Sequence, residues 1–105
     1  MTGKYKVITL CGSIKFKENF IKAQRDLTLK GNIVLTPEFF EMQAGEADLI
    51  ITEDVKQMLG DMHKCRIDMS DAILVLNKNG YIGSSTKVEI EYAKRGGKQV
   101  YYLES

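Results

Sequence analysis

Three short runs rich in β-branched residues, at positions 6–11, 32–36 and 72–76, are separated by stretches whose apolar residues recur every three or four positions, and a fourth run returns at 99–103. This alternation constrains the fold more than any other feature. Short apolar runs of this kind read as buried strands, and helical spacing between them reads as crossover helices. Strands that alternate with helices build a parallel sheet covered on both faces, with right-handed connections.

The helical stretches have recognisable ends. Phe16, Phe20, Ala23 and Leu27 recur among Lys, Glu, Gln and Arg as one amphipathic face, and Gly31 closes it. A second helix is expected near Thr52, an N-cap followed by Glu53 and Asp54, with Val55, Met58, Leu59, Met62 and Cys65 as its apolar stripe. Met58, Met62 and Met69 read as core filling. A third helix is expected from about Thr86 to Gly96-Gly97. The expected class is therefore α/β, a Rossmann-like or flavodoxin-like three-layer fold with a four- to five-stranded, mainly parallel sheet. Residues 37–51 fit neither period. With the sole proline, Pro37, the pair Phe39-Phe40, Met42 and Gly45, they read as a candidate lid. Ligands of open α/β sheets bind beyond the carboxyl ends of the strands, where Gly12, Pro37, Asn77 and the turn at Gly83 would emerge.

A chain of 105 residues reads as one domain. Fifteen Lys and Arg against 14 Asp and Glu give a net charge of +1, which argues against a long nucleic-acid footprint or an anionic membrane partner. Any anion bound is expected to be small. Cys11 and Cys65 lie far apart, without the spacing of a metal site, and read as reduced thiols lining the core of an intracellular protein. No apolar run reaches the roughly 18 to 20 residues that span a bilayer. The start Met1-Thr2-Gly3-Lys4 lacks a signal-peptide core, so a soluble, cytoplasmic protein is expected.

Two turns carry the candidate chemistry. Gly83-Ser84-Ser85-Thr86 precedes the last helix and offers free backbone N–H groups and a positive helix end to an anion, with Glu89 about one turn inside. Cys11-Gly12-Ser13-Ile14-Lys15-Phe16 follows the first strand in the same style. Structural alternatives stand beside both. Ser13 is a favoured N-cap, and Thr86-Lys87-Val88-Glu89 matches a capping box. Glu91 should point about 200° away from Glu89 and be solvated. His63, the only histidine, is the leading acid/base candidate after the carboxylates if it reaches the cleft. Asp68 and Asp71 lie at the opposite end of the third strand and read as structural. Phe39 and Phe40 would stack on a base or close the core beneath a loop.

Three motifs carry a resemblance that covers nearly the whole chain: Leu10-Cys11-Gly12-Ser13-Ile14, Ser70-Asp71-Ala72-Ile73-Leu74-Val75 and Val88-Glu89-Ile90-Glu91-Tyr92-Ala93. Through them the sequence resembles the nucleoside 2-deoxyribosyltransferase superfamily, which includes the deoxynucleoside 5′-monophosphate N-glycosidases. The resemblance implies cleavage of a bond between deoxyribose and base, with Glu89 as the nucleophile. The Cys-Gly-Ser-Ile turn is similar to that of the monophosphate-cleaving branch, which implies Gly12, Ser13, Ile14 and Lys15 as phosphate contacts. Where the family usually has an aspartate, eight residues before Asp71, this chain has His63; Thr9 stands in place of a common tyrosine, and Lys87 and Glu91 replace small residues. The implied partner is a small nucleoside or nucleotide. Family enzymes complete their sites with a neighbouring subunit, so a homo-oligomer is implied, and the chemistry requires no metal or redox cofactor. Two other readings stay open: a nucleotide-binding module that does not cleave its ligand, and a structural α/β domain acting through protein contacts.

Overall fold

In the computed structural model, which describes residues 3–38 and 52–104, strand and helix alternate as β1 (Val7–Cys11), α1 (Lys17–Leu29), β2 (Ile33–Leu35), α2 (Glu53–Asp68), β3 (Ala72–Val75), α3 (Ser84–Arg95) and β4 (Gln99–Tyr102). Short 3₁₀ turns, Ile14–Phe16 and Lys78–Gly80, follow β1 and β3. The strands are all parallel in the order β2-β1-β3-β4, four among the described residues. Thr9 stands opposite Leu35 on one side and Ile73 on the other, so β1 is central. The chain leaves β1 toward β2 and comes back beside it as β3. Their carboxyl ends therefore diverge and open a crevice at the switch in strand order.

Strand alternation divides the core in two. Leu10 and Leu76 face α1, packing with Phe20 and Ala23, while Leu27, Val34 and Leu74 flank them. Cys11, Ile73 and Val75 face the other way, against Ile67 of α2 and Ile90 and Ala93 of α3. This is the three-layer arrangement expected. The helices of the second layer, α2 between β2 and β3 and α3 between β3 and β4, place side chains over the crevice.

Helix ends follow local chemistry. Thr52 caps α2, its Oγ1 accepting from Val55 N at 3.2 Å. Gly31 and Gly97 adopt φ of 92° and 73° after α1 and α3, turning the chain back into β2 and β4. At the end of the sheet away from the crevice, the Asp71 carboxylate accepts from Val7 N at 2.8 Å and the Asp68 carboxylate accepts from the Tyr92 hydroxyl at 2.9 Å. Both aspartates are structural, as expected.

Three expectations are corrected. First, α2 does not bury Met58, Met62 and Cys65, which are exposed, as is Met69; its buried residues are His63 and Ile67. The row at four-residue spacing that faces inward is Val55, Leu59, His63 and Ile67, about one residue's step (~100°) round the helix from the expected stripe. Only Cys11 of the two thiols lines the core. Second, α3 begins at Ser84 with Gly83 as its N-cap, so the Thr86–Glu89 capping box does not form. Third, Asn77 emerges from β3 but turns away from the crevice, exchanging two 2.9 Å hydrogen bonds with the backbone of Glu104.

Candidate functional site

The crevice holds a cleft of about 590 Å³. Gly12, Ser13 and Ile14 form one wall after β1, with Pro37 and Glu38 after β2. The opposite wall is Tyr81 and the turn Gly83–Thr86, and α2 contributes Leu59, Gly60 and His63. Glu89 completes it. The two turns singled out in the sequence thus face one cleft. The rest of that reading, Phe39, Phe40 and the candidate lid beyond Glu38, lies outside the described residues.

Gly12 is a close-approach glycine. A Cβ there would meet Leu76 Cβ at 3.1 Å and the Leu76 carbonyl oxygen at 3.2 Å, so any side chain would push the ends of β1 and β3 apart. Ser13 caps the 3₁₀ turn, its Oγ accepting from Lys15 N at 3.4 Å, which is the structural alternative foreseen for it. The Lys15 ammonium rests 3.5 Å from the centroid of the Tyr81 ring, a cation–π contact, and Phe16 meets the same ring edge-on. Of these three side chains only Tyr81 lines the cleft, and Lys15, expected as a phosphate contact, rests on that ring. On the other wall, Gly83 has no side chain with which to cap α3, and no side-chain bond caps that helix. The amides of Ser84, Ser85 and Thr86 therefore stand at the positive end of α3 beside the cleft, where an anion is the natural acceptor.

The floor of the cleft is a cluster from three elements. Cys11 Sγ, at the end of β1, lies 3.5 Å from His63 Nε2 of α2, and that nitrogen lies 3.9 Å from Glu89 Oε1 of α3. Glu89 sits one turn beyond the buried Thr86, at the border of the face that packs Ile90 and Ala93 on the sheet, so its carboxylate is mostly buried yet open to the cleft. Burial pushes its pKa up to about 7, against partial relief from the Cys11 thiol and the Lys64 charge. Burial lowers the pKa of His63, partly opposed by the Leu10 backbone. The Cys11 thiol is pushed far up, first by burial and then by the neighbouring Glu89 charge, so it is a poor nucleophile. Glu91 is exposed.

Two residues here escaped the sequence reading. Arg66, one turn beyond His63 on α2, places Nη1 at 2.9 Å from His63 Nδ1, and its Nη2 donates to Glu38. The i,i+3 pairing of His63 and Arg66 was legible as a shared helix face; the partnership with Glu38 had no sequence signal. Thr9 is fully buried and donates to the Arg66 carbonyl at 3.1 Å rather than facing the cleft. Cys11, His63 and Glu89 hold their ligand atoms within 4.8 Å of one another, a spacing that one cation could share. The donor set argues otherwise. A guanidinium has only N–H groups to offer, so Nδ1 accepts from Arg66 and the ring proton sits on Nε2, leaving no lone pair there for a metal.

The DUF4406 family, described as a domain of unknown function, matches residues 7–102. No curated protein matches the chain. Among solved structures it is similar to a 2-deoxyribosyltransferase from the psychrotolerant bacterium Bacillus psychrosaccharolyticus, characterised as a biocatalyst for the industrial synthesis of antiviral and antitumoral nucleosides. The TM-score is 0.66 at 16% identity, covering 91% of this chain and 70% of that one. At so low an identity the likeness speaks for the fold alone. Since the family match runs from the first residue of β1 to the last of β4, the chain belongs to the DUF4406 family, built on the fold of the nucleoside 2-deoxyribosyltransferases.

Proposed function

We propose that this protein is an N-glycosidase or deoxyribosyltransferase-like enzyme that cleaves the bond between base and sugar, with a nucleoside 5′-monophosphate as its substrate. The observation that carries this reading is Glu89, a largely desolvated carboxylate at the floor of a cleft, with an imidazole N–H beside it and two anion-accepting turns on the walls. An anion in such a place can attack or electrostatically support C1′ as positive charge spreads over the sugar ring. The C1′–N bond breaks with its electrons going to the base nitrogen, which takes up a proton from water. Attack by water on the sugar ester of Glu89 then gives a sugar phosphate, and attack by a second base gives an exchanged nucleotide.

His63 is the polar partner, a neutral imidazole whose Nε2–H, on the side of Cys11 and Glu89, donates to the departing base as negative charge builds on it. The phosphate would lie between the Gly12–Lys15 turn and the amides of Ser84, Ser85 and Thr86. Binding energy spent there aligns C1′ against Glu89, as remote binding energy does in general. Such chemistry uses no metal or redox cofactor. A cytoplasmic homo-oligomer, with the cleft completed by a second copy, fits the resemblance to family enzymes and is checked by sedimentation.

The test is release of free base from a panel of ribo- and deoxynucleosides and their 5′-monophosphates, followed by chromatography for wild type and Glu89→Gln. Release by wild type with at least a ~10³-fold loss in the variant is expected, a typical loss for a removed nucleophile. If folded protein releases no base while a nucleotide still raises its melting temperature, the function is that of a nucleotide-binding module instead.

A further inference from the structure

His63 and Glu89 pose an electrostatic problem for the proposed chemistry. A buried imidazole 3.9 Å from a buried carboxylate can take its proton and form an ion pair, which would neutralise the nucleophile and direct it away from C1′. Every charged or titratable group facing the ring bears on this outcome. They are Cys11 from β1, Glu89 from α3 and Arg66 from α2, with Glu38, after β2, behind Arg66. Of these, only Arg66 contacts Nδ1, and it contacts it as a donor.

We propose that Arg66, clamped by Glu38, is a positioning residue that holds His63 as the neutral Nε2–H tautomer, so that the ring presents an N–H dipole rather than a charge to Glu89, 3.9 Å away. Protonation of Nδ1 would set an N–H against the N–H of Arg66 and a cation against a cation. The guanidinium therefore keeps the proton that would otherwise pass between His63 and Glu89 off the ring. The clamp is built to stay. Arg66 is mostly buried, its second nitrogen is taken by Glu38, and its carbonyl accepts from both the Thr9 and Ser70 hydroxyls, at 3.1 and 2.8 Å. The lowered pKa of His63, caused chiefly by burial, acts in the same direction. The positioning role rests on the glycosidase reading; the tautomer does not.

His63 is the only histidine, so its ring nitrogens and carbon-bound protons can be followed by ¹⁵N-correlated NMR of the whole chain without ambiguity. Wild type is expected to show the neutral Nε2–H form from pH 6 to 8. Arg66→Met should raise the pH at which the ring titrates by at least about one unit, a tenfold gain in proton affinity. Glu38→Gln, which leaves Arg66 in place but unclamped, should give a smaller rise, and Arg66→Lys should restore part of the wild-type behaviour. In the base-release assay, Arg66→Met should lower kcat roughly tenfold or more with KM within about threefold, because Glu89 is then neutralised by an imidazolium in the state that must react. Should Arg66→Met fail to fold, Glu38→Gln carries the decision.

An Nδ1–H tautomer in wild type, or a titration unmoved in folded variants, overturns the proposal. A moved titration with unchanged kcat overturns the positioning role. If wild type itself releases no base, the glycosidase reading falls, and the NMR titration still decides the tautomer.

Discussion

At the scale of the residue, Glu89 couples stability to the proposed chemistry with opposite signs. Its carboxyl titrates near 7 in the folded chain because of burial, against an ordinary value of 4.5. Between those two values the folded state keeps a proton that the unfolded state has released, so stability falls as pH rises through the window, and the full cost is present above it. The cost is about 3 kcal/mol at most, from the size of the shift. Glu89→Gln removes the charge at nearly constant shape. Urea unfolding should find the variant more stable than wild type at pH 8 by up to about 3 kcal/mol, with the gain shrinking toward zero near pH 4. An equal gain at both pH values would mean that the charge is not its source. The proposed reaction runs the other way, because attack needs the ionised carboxylate. Base release by wild type should fall as pH drops below about 7, giving an acid limb that a rate–pH profile measures.

At the scale of the element, α2 shows what sequence could and could not reveal. Its start at Thr52 was readable from the cap and the acidic first turn. Its phase was not. The expected stripe and the inward row share Val55 and Leu59, but the apolar Met58, Met62 and Cys65 draw the stripe to one side, whereas the inward row continues through His63 and Ile67 on the other. A histidine can be buried there because Cys11, Glu89 and Arg66 surround its nitrogens, partners contributed by β1, α3 and the next turn, which no periodicity contains. The two readings predict different costs. Ile67→Ala should lose about 2–5 kcal/mol in chemical unfolding, as buried large-to-small changes do, and Met62→Ala under about 1 kcal/mol. Comparable losses would restore the methionine face to the core. Likewise α3 begins earlier than its capping-box pattern suggests, because Gly83 serves as the cap and frees Glu89 for the cleft.

At the scale of the whole molecule, the order of elements, the parallel sheet and the crevice were all legible, since β-branched runs, helical spacing and terminal glycines agree with one another along the chain. The convergence of the Gly12 and Gly83 turns followed from topology alone. The close fit of Gly12 against Leu76 did not, being a distance between two strand ends that pair only in the fold. Gly12→Ala should therefore destabilise the protein by roughly 1–3 kcal/mol, as overpacking does, because one of the contacted atoms is a backbone carbonyl that cannot turn aside. A variant as stable as wild type in urea would show that the strand ends can separate without cost.

Cys11, His63 and Glu89 belong to three segments that are distant in sequence and meet only across β1 and β3. Pairing of this kind must first close a long loop and is slow to form. The cluster is thus complete only when all three segments are packed together: a chain with α1 and β2 alone held against β1 would have no floor to its cleft, so partial structure does not carry a proportionate share of the finished site.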